Sequence, residues 1–325
     1  MSVIHVVSVS SGKDSAASAS AIVALETVAR DQLRFISCDT GNEHEEYLPY
    51  LSYMERHLGI KIDVLRTNFD RELAVKAEYV RNIYPTKLPK EGFSEQETTD
   101  IIARCLAGLK PYGNPFLDLC VWKGRFPSRR AQFCTEHLKT KPAVEYQMDL
   151  IDSGQCDAVW SWQGIRLDES VARKTRLQGT GACVVAFSEA GGGLYNYRPI
   201  LRWTAADVFQ AAALYGLKPN PLYLQGMGRV GCMPCINASK DEVLEISKRF
   251  PGHIDRIEYW ETVVAMTSKR MEASFFADPH RDAHLDKRGI RKVVEWSKTA
   301  RGGKMVDWIR LEPAKACESA YGLCE

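Results

Sequence analysis

Long hydrophobic runs are missing from this 325-residue chain, and with them any segment able to span a bilayer as a helix. The longest apolar opening run, Val3 to Val9, is interrupted by His5 and has neither a basic leader nor a cleavage site, so no secretory signal is expected. An excess of one charge is also lacking: 43 Lys and Arg balance 41 Asp and Glu, for a formal charge of +2. Whole-molecule electrostatics therefore gives no reason to expect wrapping by nucleic acid, and any such contact falls to local patches. There is no internal repeat and no low-complexity tract. The Gly-x-x-x-x-Gly-Lys spacing of a Walker loop is absent, and no histidine has zinc-finger spacing. Together these absences lead to the expectation of a cytoplasmic globular protein with no membrane partner.

What the chain does hold is 45% apolar residues, enough for a large core in one large or two modest domains, and ten cysteines. With no mark of secretion, metal or redox chemistry is a better use for those thiols than a disulfide framework.

Val3 to Ser10 is rich in β-branched residues and runs through a glycine-containing turn into an Ala-rich helical pattern at Ser15 to Ala29. Arg34 to Cys38, Lys61 to Leu65 and Ala158 to Trp162 read as buried strands, and Tyr47 to Leu58 as an amphipathic helix. Thr204 caps a further helix reaching Tyr215. Strands alternating with helices predict an α/β fold, a doubly wound parallel sheet covered on both faces. Such a sheet binds ligands beyond the carboxyl ends of its strands, where loops 10 to 15, 39 to 43 and 163 to 170 fall. Residues 91–122 carry no strand pattern and read as a helical insertion, with a loop at Tyr112 to Pro115. Glu242 to Phe250, Ile254 to Met271 and Ile290 to Arg301 look helical. The expected division is a nucleotide-binding domain at 1–225 with the insertion, then a mainly helical part at 226–325. Gly191, Gly192 and Gly193 read as a flexible turn or lid.

A turn from strand to helix leaves backbone N–H groups without intrahelical partners, and they point at whatever anion sits at the helix N-terminus. At Ser10-Ser11-Gly12-Lys13-Asp14-Ser15, Gly12 permits close backbone approach, Lys13 adds a point charge and the serine hydroxyls add donors. A plain polar turn is the simpler alternative. Ser-x-Gly-Lys-Asp-Ser resembles the PP-loop of the adenine-nucleotide α-hydrolase superfamily, with Ser11 where glycine is usual. The resemblance implies that the loop holds the β- and γ-phosphates of ATP while a nucleophile attacks the α-phosphate, that Lys13 and Asp14 are catalytic, and that Asp14 helps hold Mg²⁺.

Further segments extend the likeness in family order. Cys38-Asp39-Thr40-Gly41-Asn42-Glu43 resembles the Asp-Thr-Gly segment of phosphoadenosine phosphosulfate (PAPS) reductase-like proteins. Gly164-Ile165-Arg166-x-x-Glu169-Ser170 resembles their Gly-x-Arg-x-x-Glu-Ser element, and Arg198 to Val208 with Asn220 to Tyr223 resembles the stretch that follows. At a strand end Asp39 and Thr40 can bind ribose or a metal, or simply form a turn that starts a helix. Arg166 can grip an α-phosphate or sulfate-like group through its planar fork, or pair with Glu169. Trp203 to Asp207 reads as a helix start.

The pair Cys232-Met233-Pro234-Cys235 has the spacing of a redox dithiol, half a zinc site or half a cluster site. Phe133-Cys134-Thr135 resembles the upstream cysteine position of iron-sulfur adenosine phosphosulfate (APS) reductases, and Gly-Cys-x-Pro-Cys their downstream pair. Those enzymes carry two adjacent upstream cysteines, whereas here position 133 is Phe. The resemblance implies a 4Fe-4S cluster on Cys134, Cys232, Cys235 and a fourth ligand from the chain end, Cys324 or in its place Cys317. Cys38, Cys105, Cys120, Cys156 and Cys183 have no partner pattern and read as buried thiols.

Lys123, Arg125, Arg129, Arg130, Lys139 and Lys141 form a basic run interleaved with Trp122, Phe126 and Phe133. It is either a solvated face, or it neutralises nucleotide phosphates or steers a polyanion such as DNA or RNA. Three functions follow. The first is an ATP pyrophosphatase that activates an acceptor, as phosphorothioation and thiolation enzymes of this superfamily do, with a sulfur-donor protein and a nucleic-acid acceptor as partners and an oligomer allowed. The second is a thiol-dependent PAPS or APS reductase; its Glu-Cys-Gly-Leu-His hallmark is not matched by Tyr321-Gly322-Leu323-Cys324-Glu325. The third is a catalytically silent nucleotide-binding adaptor in a modification or defence complex.

Overall fold

The computed structural model describes residues 2–10, 16–169, 174–175, 177, 179, 183–184, 193–228, 230–276 and 289–299. Ser11, Gly12, Lys13, Asp14, Ser15, Ser170, Gly191, Gly192, Cys317 and Cys324, singled out above, lie outside them, as do the side chains of Glu169 and Cys183. Among the described residues, six strands form one sheet in the order β3-β2-β1-β4-β6-β5. These are β1 (Val3–Ser8), β2 (Leu33–Asp39), β3 (Ile62–Arg66), β4 (Ala158–Trp162), β5 (Cys183–Val184) and β6 (Leu194–Tyr197). Pairing is parallel throughout, except that β5 runs antiparallel to β6. The expected doubly wound α/β architecture is thus present, with a mainly helical C-terminal part.

Sheet order follows from burial. The β1 residues Val6 and Val7 are fully buried, as a central strand covered on both faces requires. Its outlier, His5, is accommodated because Nδ1 accepts a 2.9 Å hydrogen bond from Trp162 Nε1 on the neighbouring strand. Helix α1 (Ala16–Thr27) lies against this sheet through Ala21, Ile22 and Ala24, while Ala19 packs with Ile200 and Val208. Helix α2 (Tyr47–Leu58) covers the same face with Tyr47, Tyr50, Leu51, Met54 and Leu58, the spacing the sequence predicted.

A second and larger core lies apart from the sheet. Helices α3 (Asp70–Lys87), α4 (Glu95–Gly108) and α5 (Pro115–Lys123) share one apolar cluster with C-terminal helices. The helical reading of residues 91–122 is matched by α4 and α5. Serine and asparagine start them: Ser94 forms a capping box with Glu97, and Asn114 accepts from the Leu117 amide. A helical stretch follows, made of one α turn, α6 (Phe133–Thr135), a π-wound segment at Glu136–Thr140 and helix α7 (Lys141–Asp152). Helix α8 (Ala205–Leu214) begins at Thr204, whose hydroxyl accepts from the Asp207 amide as expected. The chain closes through α9 (Pro221–Leu224), α10 (Lys240–Arg249), α11 (Pro251–Thr267) and α12 (Ile290–Ser297). Of these, α11 packs against α4 and α5, while α10 and α12 pack on α11 and on each other, and together they bury Val243, Ile257, Trp260, Val264, Ile290 and Val293. Among the described residues no helix is long and apolar enough to cross a membrane.

Candidate functional site

The chain runs from β1 to β3 on one side of the sheet and then crosses to β4 on the other side of β1, so a crevice opens between the carboxyl ends of β1 and β4. A cavity of about 250 Å³ lies there, lined by Ser8, Val9 and Ser10 after β1, Cys38 at the end of β2, Gly164 after β4, and Lys139. Ser10 and Gly164, both expected to meet a nucleotide, therefore face one space. A second cavity of about 370 Å³ adjoins it and is lined by Cys134, Cys232 and Cys235 together with Thr40, Glu43 and Gln132. Ser10, Cys38 and Lys139 belong to both walls. The three cysteines drawn from distant parts of the sequence thus meet beside the crevice.

Local structure explains the convergence. The π-wound turn shifts the helical register between Thr135 and Lys141, and Lys139 lies within it. The Cys38 thiol donates to the Lys139 carbonyl at 3.6 Å, tying β2 to this turn. On the other wall, Asn42 clamps the Cys232–Cys235 turn: its amide side chain donates to the Pro234 carbonyl at 2.9 Å, and its carbonyl accepts from the Met233 amide at 2.7 Å. The Arg256 guanidinium, from α11, completes the clamp on Asn42 Oδ1 at 3.1 Å and the Met233 carbonyl at 2.8 Å.

The loop after β2 is held just as firmly. Asp39 accepts from the Gly41 amide at 2.8 Å and pairs with Arg66 at 2.9 Å, which fixes its carboxylate at the turn. Thr40 donates to Glu43 at 2.6 Å, and its hydroxyl lies 3.7 Å from Cys232 Sγ. Gly41 has φ +76°, and a Cβ there would stand 2.8 Å from Asn114 Oδ1. Gly41→Ala should therefore destabilise the fold by at least about 1–2 kcal/mol, the usual cost of a left-handed L-residue, read as a lower urea midpoint. An unchanged midpoint would show that this loop tolerates a shift.

Arg166 is 2% exposed and its guanidinium pairs with Asp168 at 2.8 Å; Asp168 in turn accepts from the Ala205 amide at the start of α8. The ion pair is made with Asp168, which fastens the loop after β4 to that helix. Members of the basic run have different neighbours. Lys123 lies over Trp122, Arg125 over Phe133, Lys141 pairs with Glu136, and only Lys139 reaches the cysteine cavity.

Charge at the cavity is arranged around that lysine. Burial pushes the Cys232 thiol up to about 11, and Lys139 opposes the shift. Burial likewise pushes Cys38 up to about 11 and raises Cys134. Lys139 is in turn held charged, first by Cys232 and also by Glu43, Cys235 and Cys38. Glu43 is raised by burial, offset in part by its Thr40 hydrogen bond. Metal and cluster ligation requires thiolates, so this ammonium group favours the form that can bind. Lys139→Met should lift Cys232 above about 11. Alkylation of Cys232 in metal-free protein should slow about tenfold for each unit gained, with a rate unaltered at every pH ruling the lysine out.

Sequence reasoning missed Cys38 as part of the site. The signal was its place at the end of a strand directly before Asp39, where the crevice of a doubly wound sheet opens. Cys105, Cys120 and Cys156 are buried, in keeping with their reading as core thiols.

A doubly wound sheet with a crevice at its switch point places this chain among the α/β proteins whose ligands bind beyond the carboxyl ends of the strands, here with a cysteine-lined chamber beside the crevice. A model of the "Phosphoadenosine phosphosulfate reductase domain" matches residues 118–238, the span that contains Cys134, Cys232 and Cys235 but not Cys38. The "Uncharacterized 37.8 kDa protein in gpa 5'region" of Escherichia phage 186 is 42% identical over 339 aligned positions, covering 100% of this chain and 97% of that protein. The adenosine 5'-phosphosulfate reductase of Deinococcus radiodurans is 34% identical over 67 residues, 21% of this chain and 26% of the reductase. The chain thus spans about a quarter of that enzyme. A solved phosphoadenylyl-sulfate reductase of Candida auris, in a phosphate complex, aligns with TM-score 0.39 and 12% identity over 72% of this chain and 83% of its own. Residues 118–238 thus carry a PAPS reductase-like domain, within a chain related over its whole length to the phage 186 protein.

Proposed function

We propose that this chain is an adenine-nucleotide enzyme that cleaves ATP at the α-phosphate and couples the cleavage to chemistry at a cysteine-held iron-sulfur centre. The observation that carries the reading is the shared wall: Ser10, Cys38 and Lys139 line both the crevice cavity and the cysteine cavity. In the proposed reaction a nucleophile on the acceptor attacks the α-phosphorus, the bond to the bridging oxygen breaks, and pyrophosphate leaves. The loop Ser10 to Ser15 would grip the departing pyrophosphate with its amides and Lys13, while Asp14 holds Mg²⁺. Sulfur transfer to the activated acceptor, with a donor protein and a nucleic acid as partners, is part of the same proposal.

The donor set fits a cluster better than one zinc ion. Tetrahedral zinc at about 2.3 Å from each sulfur holds its thiolates about 3.8 Å apart. Among the described residues, the group of three or more ligands with atoms all within 4.8 Å of one another is formed by His44, Glu45 and His253, not by the three cysteines. Thiols spread around a chamber suit a wider cluster, and Cys324 or Cys317 would supply the fourth ligand. When bound, such a centre supplies electron transfer or sulfur chemistry. The chain's own part is to present thiolates, balance their charge with Lys139 and wall the chamber with Leu138, Ile236 and Phe116.

A PAPS or APS reductase is the second reading, favoured by the family match over residues 118–238. Anaerobic incubations with ATP, PAPS and APS in parallel, with products identified by mass spectrometry, separate the two. AMP and pyrophosphate from ATP support the proposal. Sulfite from either sulfonucleotide replaces it with the reductase, and no turnover of all three leaves a nucleotide-binding adaptor.

A further inference from the structure

A second cluster of ligand-type side chains lies behind the Cys232–Cys235 turn. His44 and Glu45 sit in the loop between β2 and α2, and His253 in the first turn of α11. The His253 ring is buried, and its Nδ1 lies 3.1 Å from the Met233 carbonyl oxygen. A carbonyl can only accept, so Nδ1 carries a proton and the neutral ring keeps its lone pair on Nε2. That nitrogen faces Glu45 Oε2 at 3.0 Å, which is also an acceptor. Two acceptors at this distance require a cation between them, a second proton or a metal ion.

A third group stands where an ion could use it. His44 Nε2 stands 3.5 Å from the same Glu45 oxygen, and the two imidazoles stack at 5.2 Å with 13° between their planes. A shared proton needs two of these groups, whereas an ion takes all three. A tetrahedral ion bound at about 2.1 Å by each ligand separates them by about 3.4 Å, which matches the 3.5 Å and 3.0 Å found. Donation from Nδ1 to a backbone carbonyl is also how metal-binding histidines are commonly oriented.

We propose that His253, His44 and Glu45 bind one divalent transition-metal ion of the zinc class, leaving its fourth position open, at a site separate from the cysteine chamber. Glu45, with a side chain 74% exposed, gives the ion its route in from solvent. Arg256, anchored on Asn42 and Met233, adds positive charge nearby, so the Glu45 carboxylate is indispensable to cation binding. His44 is the weakest ligand, because binding through Nε2 moves its proton to Nδ1 and releases the Glu46 amide that points there at 3.1 Å. The ion would brace the back of the turn through the His253–Met233 hydrogen bond.

Titration of metal-stripped full-length protein with Co²⁺ alone tests this site. Cobalt on imidazole and carboxylate absorbs in the visible without the near-ultraviolet thiolate charge-transfer band that cysteine ligation adds. One such equivalent should appear in the parent protein and persist in Cys232→Ser. It should weaken by more than the roughly 10–100-fold typical of second-sphere losses in Glu45→Gln and His253→Gln, and by less in His44→Ala. Glu45 is exposed, so its variant keeps the fold, and far-ultraviolet circular dichroism verifies this. Unaltered Co²⁺ affinity in Glu45→Gln, a spectrum wholly of thiolate type, or no binding at all would overturn the proposal in favour of a His253 imidazolium paired with Glu45.

Discussion

Pyrophosphate release from ATP should fall by about 10²–10³-fold when Lys13 is replaced by alanine, the usual loss when one preorganised donor to a developing charge is removed. The effect is electrostatic. In the proposed reaction negative charge accumulates on the departing β- and γ-phosphates as the α-phosphorus is attacked, and the Lys13 ammonium would stabilise it more than it stabilises the bound substrate. The expected loss is therefore in kcat more than in KM. Asp14→Asn should act differently, raising the Mg²⁺ concentration needed for half-maximal rate. Steady-state pyrophosphate assays across Mg²⁺ concentrations separate the two effects, and wild-type turnover in Lys13→Ala would remove the loop from catalysis.

The second large effect is on iron. Cys232→Ala and Cys235→Ala should each lose nearly all iron and acid-labile sulfide, with the brown chromophore, because a cluster short of a thiolate has a solvent-facing iron and is readily lost. Cys105→Ala and Cys156→Ala should retain both, since those thiols are buried and neither lines the chamber. Cys324→Ala and Cys317→Ala, compared side by side, identify the fourth ligand by the same assay. Zinc in place of iron in anaerobically purified protein would overturn the cluster assignment.

Much of the fold was legible because it is written in hydrophobic periodicity. Tyr47–Leu58 and Ala158–Trp162 are found at the boundaries their spacing predicts, and Thr204 caps its helix through the expected short-range hydrogen bond. Helix α3 was not read. Its sequence is rich in Arg, Glu and Lys and contains Pro85, and it is helical because Leu73, Ala77, Val80 and Tyr84 pack against other helices. Strands β5 and β6 are too short to show a period.

The site was legible where spacing is local and opaque where it is not. Cys232 and Cys235 announce themselves by their own turn, and Cys134 by its family likeness. The Asn42 clamp joins residues 192 positions apart, and Glu45 meets His253 across 208. Such contacts depend on how the sheet brings loops together, which no window of sequence contains. Arg166 adds a partner that sequence alone does not single out: its buried guanidinium pairs with the exposed carboxylate of Asp168.

Asn42 holds both the amide and the carbonyl side of the Cys232–Cys235 turn, and Arg256 holds Asn42. The entropy of ordering that turn is consequently spent when the polypeptide folds, before any inorganic guest arrives. Loading the chamber then needs little further immobilisation on that side, and occupancy depends chiefly on thiol deprotonation and on how the remaining ligand is delivered.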